Sequence, residues 1–182
     1  MLGYPFRVIG LAESKKSAQK VLKLNWSNKC DHMFEDNAVF LQESHKCFLH
    51  GRTCRREQQR PDVSSGGFEC QAYSHMRSRM GKTERTRSTA EHPLFAAPLK
   101  HFLAYIALRL PYCFWLEEVN GFTVPLDALG GVSPATYVAK KVEALGYACE
   151  CLILDHCLWA RSKTGESLAL WLSHRLRGSR GN

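Results

Sequence analysis

Apolar positions are sparse in the first half of this chain and dense in the second. Near the start, Leu11, Ala18, Val21 and Leu22 recur at spacings that share one side of a helix, which predicts a short amphipathic helix over 11–24. Residues 38–50 hold Val39, Phe40, Leu41, Phe48 and Leu49 with no clean period, so no regular element is predicted there. Over 51–92 the aliphatic signal nearly vanishes, and Val63 is the single Val, Ile or Leu among many Arg, Ser and Gly. Such a segment buries too little apolar surface to offset its ordering entropy, and it reads as a disordered basic linker.

The pattern changes at His92-Pro93. Residues 94–116, LFAAPLKHFLAYIALRLPYCFWL, have the length of a membrane span. However, Lys100, His101 and Arg109 would lie inside it, and Pro98 and Pro111 interrupt it, so a buried or interfacial helix over 99–110 is expected instead. Asn120-Gly121 between two apolar runs predicts a hairpin with strands over 113–119 and 122–126, since both residues tolerate the positive φ of a tight turn. Gly130-Gly131 predicts a loop. Ser133 is placed as an N-cap with Pro134 at the first helical position, and Gly146 stops that helix after Leu145. Tyr147–Leu154 is a compact apolar run of strand length. Leu168, Leu172 and Leu176, at four-residue spacing, predict a helix over 166–176, with Arg175 and Arg177 suited to its C-terminal end.

These elements add up to an α+β protein. A small C-terminal unit over 93–177 holds a hairpin and two or three helices, and a largely disordered basic N-terminal half precedes it. That half divides into a short helix and irregular segment (1–50) and the linker (51–92); residues 178–182 form a tail.

The apolar fraction of 45% is that of a globular chain, while the formal charge of +8 favours acidic partners. The arginines and lysines most available for anion contact fall in two runs, Arg52, Arg55, Arg56 and Arg60, then Arg77, Arg79, Lys82, Arg85 and Arg87. In a flexible arm they would neutralise phosphates of nonspecific nucleic acid or an anionic membrane surface without any fold. No helix-turn-helix, finger or RNA-recognition signature accompanies them. The eight cysteines invite a disulfide reading, but the first residues lack a signal-peptide pattern, so reduced thiols and an intracellular setting are expected. Arg7, Lys15, Lys16, Lys20 and Lys23 against Glu13 allow a mitochondrial address as the alternative.

The densest ligand-like cluster is Cys30-x-His32 followed by His45-x-Cys47-x2-His50-x3-Cys54. Zinc takes four Cys or His ligands, usually as two close pairs, and Cys30, His32, Cys47 and His50 supply two such pairs, although the spacing matches no standard finger. A second cluster, Cys149, Cys151, His156 and Cys157, reads mostly as buried strand cysteines. No GxSxG, HExxH or GxGxxG occurs, so no catalytic residue and no cofactor is assigned.

Ser133-Pro134-Ala135-Thr136-Tyr137-Val138, running on to Leu145-Gly146-Tyr147, resembles a segment near the C-terminal end of one branch of the short-chain dehydrogenases. That branch comprises the 3-oxoacyl-CoA reductases and 17β-hydroxysteroid dehydrogenases. The resemblance covers 133–158. It implies a truncated relative without reductase chemistry, since Ala96 stands where the proton-donating tyrosine would precede Lys100 and no glycine-rich nucleotide turn lies upstream. The leading functional expectation is therefore a non-enzymatic interaction protein. Its basic arm would meet acidic partners, and its apolar 94–116 segment would meet a protein partner or membrane. An inactive dehydrogenase relative in lipid metabolism, or a reading frame without defined function, are the alternatives.

Overall fold

A computed structural model describes residues 5–55, 58–67, 93–126, 129–155 and 167–175. The chain divides into two units, Met1–Arg60 and Pro61–Asn182.

In the first unit, strand β1 (Leu11–Ala12) runs parallel to β2 (Met33–Phe34), with helix α1 (Lys16–Trp26) in the crossover between them. Parallel neighbours need such a crossover, because a tight turn can join only antiparallel ones. The predicted amphipathic helix thus starts later than its apolar pattern suggests. Leu11 belongs to β1, Val21 is exposed, and the buried residue of α1 is Gln19, whose Nε2 donates to the Glu13 carbonyl at 2.6 Å. A 3-10 turn (Asn37–Leu41), capped by the Asp36 carboxylate on the Ala38 amide, leads into an antiparallel hairpin of β3 (Ser44–Cys47) and β4 (Arg52–Arg55). Gly51 closes the hairpin at φ 68°, which glycine adopts without strain. Phe34, Val39, Cys47 and Cys54 are buried together, with Phe40 and Leu49 packed against them.

This ordered unit corrects the expectation of a largely disordered N-terminal half. Cysteines and aromatics, with Val39 and Leu49 the aliphatic members, build its small core and leave no periodic aliphatic signal.

The second unit is a four-stranded mixed sheet of order β5-β6-β8-β7. Strand β5 (Val63–Gly67) pairs in parallel with β6 (Cys113–Val119), and helix α2 (Pro93–Arg109) lies between them in sequence. Helix α3 (Pro134–Glu143) leads into β7 (Tyr147–Asp155), and β8 (Ser167–Arg175) runs antiparallel between β6 and β7. Alternation along β6 puts Phe114, Leu116 and Glu118 on the buried face and Trp115 and Glu117 on the exposed one. Leu99, Phe102 and Ile106, one face of α2, complete the core with Phe122, with Ala135, Val138 and Val142 of α3, and with Tyr147. The Tyr147 hydroxyl donates to the Pro111 carbonyl at 2.7 Å, so its polar tip is satisfied inside the core. At Gly66 an added Cβ would come within 2.7 Å of the Phe102 ring, which explains a glycine near the end of β5.

Several predicted elements stand: the helix through 99–110, which begins earlier and passes through Pro98; the strand 113–119; the Gly130-Gly131 loop at φ 68° and 78°; and the strand from Tyr147. Ser133 caps α3, its Oγ accepting the Thr136 amide at 3.1 Å, and Gly146 at φ 86° ends it. Ser133→Ala is expected to lower stability by about 1 kcal/mol, a typical cap loss, seen as an earlier denaturant midpoint with an unchanged slope.

Two predicted elements differ. Asn120–Thr123 is a 3-10 turn, not a hairpin, and Gly121 is not at positive φ. The antiparallel partner of β6 comes from far along the chain, with Cys113 to Val119 pairing His174 to Leu168, and Phe122 turns inward, fully buried. Residues 167–175 are a strand, not a helix. This stretch pairs with β6 on one side and β7 on the other, and the periodicity of a short apolar run alone does not separate a strand from a buried helix. Among the described residues, no helix is long and apolar enough to cross a membrane.

Candidate functional site

Two places bring chemistry-bearing side chains together, one in each unit. In the first, Cys47 ends β3, His50 lies in the hairpin turn, Cys54 follows on β4, and His32 stands just before β2. Pairing β1 with β2, and β3 with β4, thus converts residues spread over 32–54 into one cluster. One ligand atom from each of His32, Cys47, His50 and Cys54 lies within 4.8 Å of all the others. The Cys47 Sγ is 3.5 Å and the Cys54 Sγ 3.3 Å from the same His50 Nδ1. The His32 and His50 rings meet edge-on with centroids 5.4 Å apart. The Met33 amide donates to the Cys47 Sγ at 3.3 Å, and the neighbouring Phe48 amide donates to the Met33 carbonyl at 2.8 Å, so backbone bonds fix this sulfur in place. Burial, together with the adjacent Cys47, holds the Cys54 thiol above its ordinary pKa.

Of the four ligands expected from sequence, His32, Cys47 and His50 are in this cluster. Cys30 is not: its Sγ donates to the His32 carbonyl at 3.0 Å, and burial pushes its thiol pKa up. Cys54 takes the fourth place. The hairpin register explains the difference, because a turn of four residues folds Cys54 back beside His50, a closeness that sequence spacing does not reveal.

In the second unit the place of interest is the carboxyl end of the β5–β6 pair, where Gly67 is opposite Glu117. Glu117 is exposed, and Glu118 beside it is buried on the core face. In open α/β sheets, ligands bind outside the carboxyl ends of parallel strands. Sequence reading passed over both glutamates, because β5 is submerged in the polar 51–92 stretch and gives no strand signal. The clue was Gly66-Gly67 ending a short run that begins with Val63.

Of the residues expected to contact anions, Arg52 and Arg55 lie on exposed positions of β4. Arg55 pairs with Glu43 at 2.8 Å with both side chains largely in water, a pair of little energetic weight. Arg60 is half-buried. Arg56, Arg77, Arg79, Lys82, Arg85 and Arg87 fall outside the described residues, as do His156 and Cys157. Cys149 and Cys151 sit two apart on β7, as expected for a strand, but they are not buried as expected: Cys149 is half-buried and Cys151 exposed.

No protein-family model matches the chain, and no curated protein matches it in sequence. Solved structures do match it in fold. A prophage-encoded protein of E. coli, described as a DNA modification methyltransferase, superposes with a TM-score of 0.58 at 13% identity, over 93% of this chain and 40% of its own. A mutant DNMT2 of Spodoptera frugiperda gives a TM-score of 0.55 at 11% identity, over 97% of this chain and 45% of its own. These likenesses overturn the expected kinship with short-chain dehydrogenases, whose resemblance rested on one helix-then-strand segment that many α/β arrangements share. The expectations of a non-enzymatic interaction protein and of a frame without defined function give way with it. The chain has a fold shared with these methyltransferases and spans less than half the length of either.

Proposed function

We propose that this chain is a methyltransferase-like catalytic segment acting on nucleic acid, with its reacting groups at the carboxyl edge of β5 and β6. The observation that carries this reading is the parallel β5–β6 pair, which sets Glu117 level with the last residue of β5. The fold likeness supports the reaction class, and the formal charge of +8 supports a polyanionic substrate. Cys70 follows Gly67 by three residues in sequence and lies outside the described residues.

Chemistry on a base would use the Glu117 carboxylic acid as proton donor to the ring and a thiolate as nucleophile, for which Cys70 is the candidate by sequence. A base extruded from its stack is the form in which such groups reach it. The arginines and lysines of the two basic runs would then hold phosphates instead of forming an independent arm.

The test is transfer of a labelled methyl group from S-adenosylmethionine to DNA or RNA by the full chain, together with nucleic-acid binding across a salt series. Incorporation into one polymer, with binding that weakens steeply as salt rises, is the expected result. Salt-insensitive binding with no incorporation into either polymer would sink the reading.

A further inference from the structure

We infer that the first unit holds a structural zinc ion bound by His32, Cys47, His50 and Cys54. This inference is independent of the proposed methyl transfer, since it concerns residues of Met1–Arg60 alone.

The donor spacings are close to those that a tetrahedral zinc site requires. With Zn–S of about 2.3 Å and Zn–N of about 2.0 Å, the edges of a two-cysteine, two-histidine site are roughly 3.3–3.8 Å. The two sulfur-to-Nδ1 edges measured here are 3.5 and 3.3 Å, and all four donor atoms fall within 4.8 Å. Hydrogen bonding does not account for the arrangement equally well. One imidazole nitrogen has a single lone pair or a single proton, so it makes one good bond to a thiol, yet two sulfurs converge on the same Nδ1. A cation satisfies both sulfurs and both rings at once. Two thiolates with two neutral imidazoles also balance the divalent charge, which suits a site whose two cysteines are buried.

The donor set selects the metal. Two thiolates and two imidazoles in tetrahedral array favour zinc over the oxygen-seeking calcium and magnesium. All four positions are filled by protein, with none left for water or substrate, so the role is structural rather than catalytic. The need is physical as well. The unit is small, its buried apolar residues among those described are Cys30, Met33, Phe34, Val39 and the two cysteine ligands themselves, and units of this size usually require a staple.

The experiment begins with the full chain purified without chelator and analysed for metal, and about one zinc per chain is expected. Cobalt(II) exchanged into the site should show the visible absorption of tetrahedral thiolate coordination. Cys54→Ser should lose this absorption and weaken zinc binding by a hundredfold or more, on the order of the loss of one ligand, whereas Cys30→Ser should keep both. Thiol alkylation of the unaltered chain supplies a second readout that does not depend on the folding of Cys54→Ser. Zinc should protect Cys47 and Cys54, and a chelator should expose them. Zinc content near zero with no cobalt spectrum would overturn the site. Loss of metal in Cys30→Ser with retention in Cys54→Ser would overturn this ligand set.

Discussion

Phe114→Ala is expected to unfold the second unit under mild conditions, at a cost of about 3–5 kcal/mol. Phe114 is 1% exposed and is the second residue of β6. Its ring meets Phe102 of α2 edge-on at 5.9 Å and Tyr147 at the head of β7 at 5.2 Å, so one truncation opens a void where helix and sheet join. Edge-to-face pairs add about 0.5–1.5 kcal/mol each to the area they bury, and both would be lost. A total stability of about 5–15 kcal/mol leaves little margin for that. The control is the next residue: Trp115, on the opposite face and 38% exposed, should cost far less when replaced by alanine. Urea titration of the two variants, followed by circular dichroism, checks the contrast. Equal losses would mean that β6 does not bury the face assigned to it.

The same strand shows which parts of the fold the sequence made legible. Local signals worked where the physics is local. Ser133, Pro134 and Gly146 bound α3 through positions that involve only their neighbours, whereas the strand at 113–119 is read from the apolar run before Asn120-Gly121, and its buried face of Phe114, Leu116 and Glu118 is not an apolar-polar alternation in the sequence. Local signals failed where a distant partner decides. Asn120-Gly121 has hairpin chemistry, but β6 takes β8 as its antiparallel neighbour, so the chain turns inward at Phe122. Residues 167–175 have a helix-like leucine spacing that carries no force once strands flank them on both sides. Val63–Gly67 is a strand of serines and glycines, ordered by its parallel pairing with β6 rather than by apolar content. The metal cluster was legible as a group of residue types, and three of its four members followed from proximity in sequence. The fourth depended on the β3–β4 register, which brings Cys54 to His50 while β1–β2 pairing leaves Cys30 against a carbonyl.

Glu117→Gln is expected to reduce methyl transfer by about 10²–10⁴-fold, the usual contribution of a positioned acid or base, while leaving stability within about 0.5 kcal/mol of the parent. The two halves of this prediction rest on different facts. Stability should hold because Glu117 is exposed and glutamine has the same shape, so neither packing nor the backbone pairing with Gly67 changes. Activity should fall because the amide keeps the hydrogen-bonding outline of the carboxyl but cannot deliver a proton to a reacting ring. Cys70→Ser should fall at least as far, since a hydroxyl is a much poorer nucleophile than a thiolate at neutral pH. Nucleic-acid binding should persist in both variants, because the proposal assigns phosphate contacts to the basic runs and not to this edge. The discriminating measurement is therefore paired: labelled-methyl incorporation and salt-dependent affinity on the same preparations. Loss of incorporation with retained affinity places the chemistry at the carboxyl end of β5 and β6. Full activity in Glu117→Gln would remove the carboxyl from the mechanism and return the search to the rest of that sheet edge.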